Sequence, residues 1–521
     1  MKERIAKAMD LFADERHFRL RLFFEGILIG IAAGGVVAAF RWLLTASEDL
    51  RPLLCRWIAE SPGTVPLYFL LLALIGALLC RIVQKEPMTS GSGIPQIKGI
   101  LLGKMHMAWA KVLLFKFIGG VLAIGSGMSL GREGPSVQLG ACVGQGVSRL
   151  GRRTQTEERF LLTAGAGAGL AAAFNAPLAG VMFALEELQK NFSPLVLMAT
   201  IAAAVAATAV SQMLFGGAPV FHLGELPVIP LGSLYLVMIL LGIFVGALGL
   251  GFNGMLVRSL DWYARLPWKA WQKPMLPLLA VGVLSFCLPE ILGGGSRLVD
   301  SMAVADYSVW MLFVLFLGKF FLTMLCFGSG VPGGIFLPML VLGAVGGAIF
   351  AKGAVTMGVL APSFVPDCIA FGMAAYFAAV VKSPVTGSIL IMEMTGSFQH
   401  MLALICVSMA AYLVTDMAGG LPVYDVLLDR SLRLRDRIKK AVRRRRFVAE
   451  LVIGDGSALA GNTIGAAAWP LHTVIVSVRR GTQELVPHGG LELQAGDYLY
   501  ILTDDADLAP VQDMAKEGLR Q

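Results

Sequence analysis

The sequence predicts an all-α polytopic membrane protein that is built from two related halves and followed by a small α/β domain. Of the 521 residues, 56% are hydrophobic and only 15% are charged, and the mean hydropathy is +0.73. This composition is too apolar for a soluble globular protein and indicates several membrane spans. Apolar stretches such as GILIGIAAGGVVAAF recur to about residue 420, and many are near or below the roughly 20 residues that a straight span needs. Some helices are therefore expected to be tilted, broken or re-entrant.

Internal repetition predicts the two halves. The segment NAPLAGVMFALEE (175–187) aligns without a gap with KSPVTGSILIMEM (382–394), which pairs Glu186 with Glu393. The loops SGSGIP and GGGSRL, and the loops GREGP and PGGIFLP, repeat in the same order. Repeated halves with Gly- and Pro-interrupted apolar segments are typical of transporters whose site lies near the middle of the membrane. The repeats are expected at about 21–215 and 230–429.

Charge predicts the orientation in the membrane. Basic residues concentrate in the N-terminal segment, in SRLGRRTQTEER and in RSLRLRDRIKKAVRRRR. The positive-inside rule assigns these segments, and so both termini, to the cytosol. The first residues lack the pattern of a cleaved signal peptide, so insertion through the first span into an inner or plasma membrane is expected. Juxtamembrane basic clusters are ordinary contacts of lipid headgroups, so membrane lipids and not nucleic acid are the expected partners.

Composition changes sharply near the end of the chain, where strand-like alternation replaces the long apolar runs. The expected domains are a cytosolic N-terminal helix at 1–20, a transmembrane domain at 21–429, a basic connector at 430–446 and a soluble α/β domain at 447–521. Neither the seven cysteines nor the six histidines shows a metal-binding spacing, and no nucleophile–base pair is apparent. The sequence thus predicts a transporter or channel that is not an enzyme and uses no cofactor or metal.

Three glycine-rich loops lie at predicted breaks, at 91–95, 131–135 and 333–338. Glycine permits unusual backbone angles, and proline suits the first turn of a helix, so each loop is expected to lead into a helix N-terminus. Such an end offers unpaired N–H groups and a partial positive charge. For one loop alone, close helix packing is the simpler interpretation, but three loops in matching positions of two repeats favour an anion site. Gly93, Ile94 and Gly134 are candidate residues of this site.

The loops GSGIP, GREGP and GGIFLP, together with FNAPLAGVMFALEE, resemble those of the CLC family of chloride channels and chloride/proton antiporters over about residues 20–428. The resemblance implies a homodimer in which each subunit has its own anion pathway, built from two halves of inverted topology. It also implies that the Ser92 hydroxyl, the amides of Ile335 and Phe336 and the Tyr424 hydroxyl contact a central anion. Family members that prefer nitrate tend to have proline at the position of Ser92, and fluoride exporters have methionine. The implied anion is chloride, with bromide or nitrate as further candidates.

The same resemblance gives roles to charged residues inside the apolar region. A carboxylate at a helix N-terminus in an anion path can occupy the anion's position when ionised and leave it when protonated. Glu133 is therefore the expected gate and proton carrier. Arg132 is expected to support the gate by pairing near it. Lys116 is expected to be a buried cation that raises the local anion potential; the alternative is a side chain that snorkels to the interface.

Glu187 distinguishes two functions. Antiporters of the family generally carry a glutamate that matches Glu187, where many channels have a nonpolar residue, so proton-coupled exchange with Glu187 as the cytoplasmic-side proton station is favoured. The alternative is a passive, glutamate-gated chloride channel in which Glu187 is a solvated helix end. Glu393 is expected to be structural. Gln96 and Lys98 stand where close bacterial relatives often have acidic residues, which indicates a different entry of protons from the cytosol.

The segment ELVPHGGLELQAGDYLYILTDDADL resembles the C-terminal ligand-binding half of potassium-channel regulatory domains of the RCK or TrkA-C type, over about 447–510. Two hypotheses stay open for this domain. A small cytosolic ligand, such as a nucleotide, modulates transport through it, or it is a folded tail that supports assembly.

Overall fold

The computed structural model describes residues 2–224, 226–442, 446–470, 473–481, 483–504 and 507–516, with the side chains of 2–17, 62, 434–442, 446, 447, 504 and 509 left out. The chain divides into a membrane unit, Met1–Leu428, and a C-terminal unit, Asp429–Gln521.

The first half of the membrane unit consists of helices joined by short loops. Its helices are α1 (Lys2–Glu60), α2 (Val65–Lys85), α3 (Ile94–Leu101), α4 (Trp109–Gly125), α5 (Glu133–Leu150), α6 (Gln155–Phe174), α7 (Pro177–Phe183) and α8 (Pro194–Phe215). The π-helical turn Ala184–Gln189 continues α7. Because α1 has no break, the predicted N-terminal helix and the first span form one helix.

The second half repeats this pattern of long and short helices. Its helices are α9 (Ser233–Arg265), α10 (Met275–Cys287), α11 (Ser296–Val304), α12 (Val309–Gly328), α13 (Phe336–Thr356), α14 (Val365–Val381), α15 (Pro384–Thr395) and α16 (Met401–Met417), and α17 (Val423–Val442) follows. Within the described residues, nine helices are long and apolar enough to cross a membrane. By contrast, α3, α7 and α11 have 8, 7 and 9 residues, as the prediction of broken helices requires.

The centre of each half is a pair of helices whose backbones touch at glycine. A Cβ atom on Gly140 of α5 would lie 2.1 Å from the carbonyl oxygen of Gly165 in α6. In the second half, a Cβ atom on Gly343 of α13 would lie 2.4 Å from the carbonyl oxygen of Gly372 in α14. A side chain at these positions would clash with the facing backbone. Small residues such as glycine allow membrane helices to approach this closely. The glycines therefore fix the two helices whose N-termini form the site described below.

Two carboxylates join the halves reciprocally. Glu393 accepts hydrogen bonds from the backbone N–H groups of Leu178 (3.1 Å) and Ala179 (2.8 Å) at the start of α7. Glu186 does the same for the start of α15, with 2.7 Å to the N–H of Thr386. Each carboxylate thus accepts hydrogen bonds from unpaired N–H groups of a helix in the other half and is attracted to the positive N-terminal end of that helix. This contact is the structural role predicted for Glu393, and Glu186 shares it.

The C-terminal unit is a small α/β domain, as predicted. Its strands are β1 (Arg446–Val452), β2 (Val474–Arg480), β3 (Gln483–Leu485) and β4 (Tyr498–Asp504), and its helix is α18 (Leu508–Lys516). The strands form one antiparallel sheet in the order β1-β4-β2-β3. Leu499 and Ile501 of β4 are fully buried in a core with Val511 of α18.

An ion pair between the half-buried Arg480 and the buried Asp497 lies beside this core. The Nε and Nη2 atoms of Arg480 each donate to a different carboxylate oxygen of Asp497 at 2.8 Å, and Asp497 is 1% exposed. The hydrogen bonds from the Arg480 guanidinium lower the pKa of Asp497. Bidentate pairs of this kind are among the stronger side-chain interactions.

We expect Asp497→Asn to destabilise the C-terminal unit by about 2 kcal/mol, because it removes charge-assisted hydrogen bonds from a buried site. Since folding lowers the pKa of Asp497, its contribution is complete above the unfolded value of about 3.9 and is lost only as the pH falls through the lower folded value. The destabilisation should therefore be equal at about pH 5 and about pH 8. Hydrogen exchange of β2 in the full-length protein, corrected for intrinsic rates, measures it.

Asp513→Asn is the matched control, because it makes the same change on an exposed face of α18 and should leave the exchange unchanged. A wild-type protein that already loses protection of β2 between about pH 8 and pH 5 would contradict the assignment of this pair.

Candidate anion pathway

Each of the three glycine loops leads into a helix N-terminus, as the sequence predicted. The residues that cap α3, α5 and α13 are Gly93, Arg132 and Ile335. Gly93 has a φ of +98°, in the left-handed region that glycine adopts without strain. Three helix ends with unpaired N–H groups are thus present inside the apolar part of the chain.

The structure brings these loops, from both halves of the chain, to one place. Gly131 donates to the carbonyl of Gly334 at 2.6 Å, and Gly334 donates back to that of Gly131 at 2.8 Å. Gly91 donates to the carbonyl of Val331 at 3.1 Å, and Gly333 donates to that of Gly91 at 3.0 Å. These short bridges hold the N-termini of α3, α5 and α13 in a common cluster.

Two hydroxyl groups at this cluster are buried without a hydrogen-bond partner in the described part of the chain, those of Ser92 and Tyr424. Ser92 lies against Gly134, where an added Cβ would be 2.3 Å from the Ser92 Oγ. Tyr424 lies in the first turn of α17, is fully buried and interacts electrostatically with Glu133 at the start of α5. An unpaired buried hydroxyl is costly and calls for an explanation, such as a ligand that is bound there.

Glu133 is the first residue of α5 and is fully buried. Its Oε2 accepts a hydrogen bond of 3.3 Å from the backbone N–H of Leu337, in the first turn of α13. Its Oε1 has no hydrogen-bond partner in the described chain and lies 3.8 Å from the Nε of Arg132. The carboxylate therefore lies at the N-terminus of α13, and helix N-termini are sites that favour anions. Arg132 thus lies beside Glu133, and its predicted supporting role stays a prediction.

Lys116 of α4 is fully buried behind the Ser92 loop. Its Nζ donates to the carbonyls of Thr89 (2.9 Å) and Gly91 (2.6 Å). The alternative of a snorkelling side chain is thus wrong, because the ammonium group ends in the protein interior. The contact holds the backbone that presents Ser92.

Sequence reasoning missed the counterpart of Lys116 in the second half. Lys319 of α12 is also fully buried and donates to the carbonyls of Ile291 (3.0 Å) and Gly293 (2.6 Å). The signal was available, because Lys319 is related to Lys116 by nearly the same offset that relates the glycine loops.

Glu187 lies in the π-helical turn after α7 and is 2% exposed, so it is not a solvated helix end. Its Oε1 accepts a hydrogen bond of 2.7 Å from the Nζ of Lys98, and its Oε2 accepts one of 3.0 Å from the Oγ of Ser383. Sequence reasoning noted Lys98 as a departure from relatives but did not identify it as the partner of Glu187.

Comparison with known proteins decides the family. Residues 71–416 match the family described as voltage gated chloride channel. The chain belongs to this CLC family. Residues 448–516 match the TrkA-C domain family. Both resemblances predicted from the sequence are therefore confirmed.

Individual members of the family are similar over most of the chain. The H(+)/Cl(-) exchange transporter ClcA of Salmonella paratyphi A is 37% identical over 429 residues, which covers 80% of this chain and 90% of that protein. The crystal structure of a slow cyanobacterial Cl⁻/H⁺ antiporter matches with a TM-score of 0.73 and 36% identity, over 79% of this chain and 98% of that chain. A CLC-type fluoride/proton antiporter matches with a TM-score of 0.64 over 76% of this chain and 95% of that chain, and at 24% identity this likeness concerns the fold alone.

Proposed function

We propose that this CLC protein exchanges chloride for protons across a membrane. The observation that carries the proposal is the buried Glu133 carboxylate on the N–H of Leu337, beside the unpaired hydroxyls of Ser92 and Tyr424. A titratable anion thus competes for the place where a chloride ion would bind. The relatives named as H⁺/Cl⁻ exchangers support the same function.

Chloride binding in this proposal uses hydroxyl and amide donors. The ion contacts the hydroxyls of Ser92 and Tyr424 and the backbone N–H groups of Ile335 and Phe336, while Gly134 leaves room for it. Helix N-termini supply only partial positive charge. The ion is therefore held firmly enough to enter but weakly enough to leave.

Glu133 couples the two ions because one place serves both. When ionised, its carboxylate is attracted to the N–H groups at the start of α13 and excludes chloride. When protonated, it loses that charge and moves aside, and chloride takes the N–H groups. Each chloride that enters thus requires a proton on Glu133, and Arg132 supports the gate from 3.8 Å away.

The second candidate function is a passive chloride channel gated by Glu133. The burial of Glu187 and its direct pairing favour exchange, because a carboxylate in the protein interior is costly and is kept there for a role. Glu187 is the proton station on the cytoplasmic side in this proposal.

We place the protein in a bacterial inner membrane as a homodimer with both termini in the cytosol. The basic segments support the orientation, and apolar side chains exposed on α16, such as Ile405, Met409 and Leu413, suit a partner subunit or lipid. The TrkA-C domain supports control of transport by a small cytosolic ligand.

Proton movement driven only by a chloride gradient tests the function. Purified protein is reconstituted in liposomes, the voltage is clamped with potassium and valinomycin, and protons and chloride are recorded with electrodes. We expect the wild type to move protons against their gradient and Glu187→Gln to pass chloride without protons. The amide cannot carry a proton between the two sides.

Glu186→Gln is the matched control, because this neighbouring carboxylate caps α15 instead. It should keep the proton coupling of the wild type. Chloride flux without any proton movement in the wild type would contradict the proposed exchange and support the channel function.

A further inference from the structure

Four charged side chains meet where α3, the π-helical turn and α17 come together, and we call them the inner charge cluster: Lys98, Glu187, Lys190 and Asp425. The Nζ of Lys98 lies 2.7 Å from the Oε1 of Glu187 and also forms an ion pair with the Oδ1 of Asp425. The Nζ of Lys190 pairs with the other oxygen of Asp425. Lys98 is thus shared between two carboxylates.

The exposed fraction of the side chains falls along the cluster from Lys190 to Glu187. The side chain of Lys190 is 51% exposed and that of Asp425 is 34% exposed, whereas the side chains of Lys98 and Glu187 are 5% and 2% exposed. The order of contacts runs from the water-exposed pair through Lys98 to Glu187. Any proton that reaches Glu187 along this route passes the Lys98 ammonium group.

The remaining polar surroundings of Glu187 are neutral. Ser383, before α15, donates to its second oxygen, and the Tyr424 phenol of α17 interacts with it electrostatically. The side chain of Gln189, in the same π-helical turn, donates a hydrogen bond to Thr163 of α6, and this bond does not involve Glu187. Lys98 is therefore the cation in direct contact with Glu187, and Asp425 and Lys190 act on it from behind Lys98.

We propose that Lys98 is a positioning residue that sets how readily Glu187 takes up a proton from the cytosol. This inference rests on the proposed exchange function. The ammonium group favours the ionised carboxylate, because an opposite charge in contact stabilises the charged form. For proton uptake, Lys98 shifts its hydrogen bond to Asp425, a hydronium ion gives its proton to Glu187, and water is left. Lys98 keeps its own proton and charge throughout.

Because Lys98 pairs with both carboxylates, two substitutions are expected to move the pH midpoint of coupled transport in opposite directions. Lys98→Gln removes the cation, so Glu187 holds a proton more readily and coupled transport should persist to higher pH. Asp425→Asn removes a nearby negative charge and the competitor for Lys98, so Glu187 should need a lower pH. A contact charge changes such a midpoint by about one to three pH units, or about tenfold to a thousandfold in proton concentration.

The test measures the initial rate of chloride-driven proton movement in liposomes against a uniform pH, for wild type, Lys98→Gln, Lys98→Arg, Asp425→Asn and Lys190→Gln. We expect midpoints that move up for Lys98→Gln and down for Asp425→Asn, and a wild-type midpoint for Lys98→Arg. Lys190→Gln is the matched control, because this lysine touches Asp425 but not Glu187. Its midpoint should move by less than that of Lys98→Gln.

A structural role alone would lower the rate without moving the midpoint, and that result overturns the inference. The same holds if Lys98→Gln changes the pH profile of chloride flux equally in a Glu187→Gln background, where no carboxylate is left to act upon. If Lys98→Gln does not fold, Asp425→Asn tests the inference alone: a lower pH midpoint supports it, and an unchanged midpoint overturns it. Wild-type liposomes that pass chloride without protons overturn both proposals, whereas wild-type coupling with unmoved midpoints overturns this one only.

Discussion

Replacing Glu133 with glutamine is expected to abolish proton movement while chloride still passes. Glutamine has the same length as glutamate and can still accept the hydrogen bond from Leu337, so the cluster of loops should persist. Its amide does not titrate, so no proton can be exchanged for the anion at the N-terminus of α13. In voltage-clamped liposomes, a chloride gradient should therefore move no protons above background, and chloride flux should lose the pH dependence that comes from Glu133.

Glu393→Gln provides a demanding control. Glu393 is also a carboxylate inside the membrane unit that accepts from backbone N–H groups, with 2.8 Å to Ala179, but it caps α7 away from the glycine loops. We expect this variant to remain coupled and to lose about 1 kcal/mol of stability, as for other lost helix caps. Coupling that survives Glu133→Gln at the wild-type ratio would show that the gate is elsewhere. Coupling lost equally in Glu393→Gln would mean that any buried carboxylate is required.

The sequence is most informative where the determinants of structure are local. The helix starts at Ile94, Glu133 and Phe336 follow from glycine and proline spacing, because those residues decide backbone angles within a few positions. The meeting of the loops follows from a further step, the repetition of the halves, since equivalent breaks in two related halves are brought to one place. Both steps need only the spacing of nearby residues and the repetition of that spacing in the second half of the sequence.

The inner charge cluster shows where such reasoning stops. Lys98, Glu187 and Asp425 are far apart in the sequence and are joined only when α3, the π-helical turn and α17 pack together. A hydrophobic pattern predicts that helices are buried but not which face of one meets which face of another. The departure at Lys98 was visible, yet its consequence depended on a contact that no local signal encodes.

Lys116 illustrates the same limit at a single side chain. A lysine inside an apolar helix can extend toward the interface or turn inward, and hydropathy is the same for both. The inward orientation depends on the carbonyls of Thr89 and Gly91, which accept hydrogen bonds from the ammonium group. That backbone geometry is a product of the fold.

Gly134→Ala is expected to weaken chloride binding by about 5- to 150-fold, which corresponds to the roughly 1 to 3 kcal/mol typical of an overpacked site. The new methyl carbon would lie 2.3 Å from the Oγ of Ser92 and 2.7 Å from its backbone oxygen. Something must move, and both the space for the anion and one of its proposed ligands are affected. Isothermal titration of chloride and the rate of chloride efflux from liposomes measure the loss.

The effect of Gly134→Ala on chloride binding can be separated from the effect that any glycine-to-alanine change has on helix stability. Alanine is favoured over glycine inside a helix by about 1 kcal/mol, so the change in α5 should by itself stabilise the protein. Gly35→Ala in α1 makes the same change where no atom lies within 4 Å, and it should leave chloride binding unchanged. Adding Ser92→Ala to Gly134→Ala removes the contact with the hydroxyl but not the 2.7 Å contact with the backbone oxygen, so it should restore only part of the stability. It should not restore affinity, because the anion then lacks the Ser92 hydroxyl; affinity that returns in the double variant would remove Ser92 from the anion site.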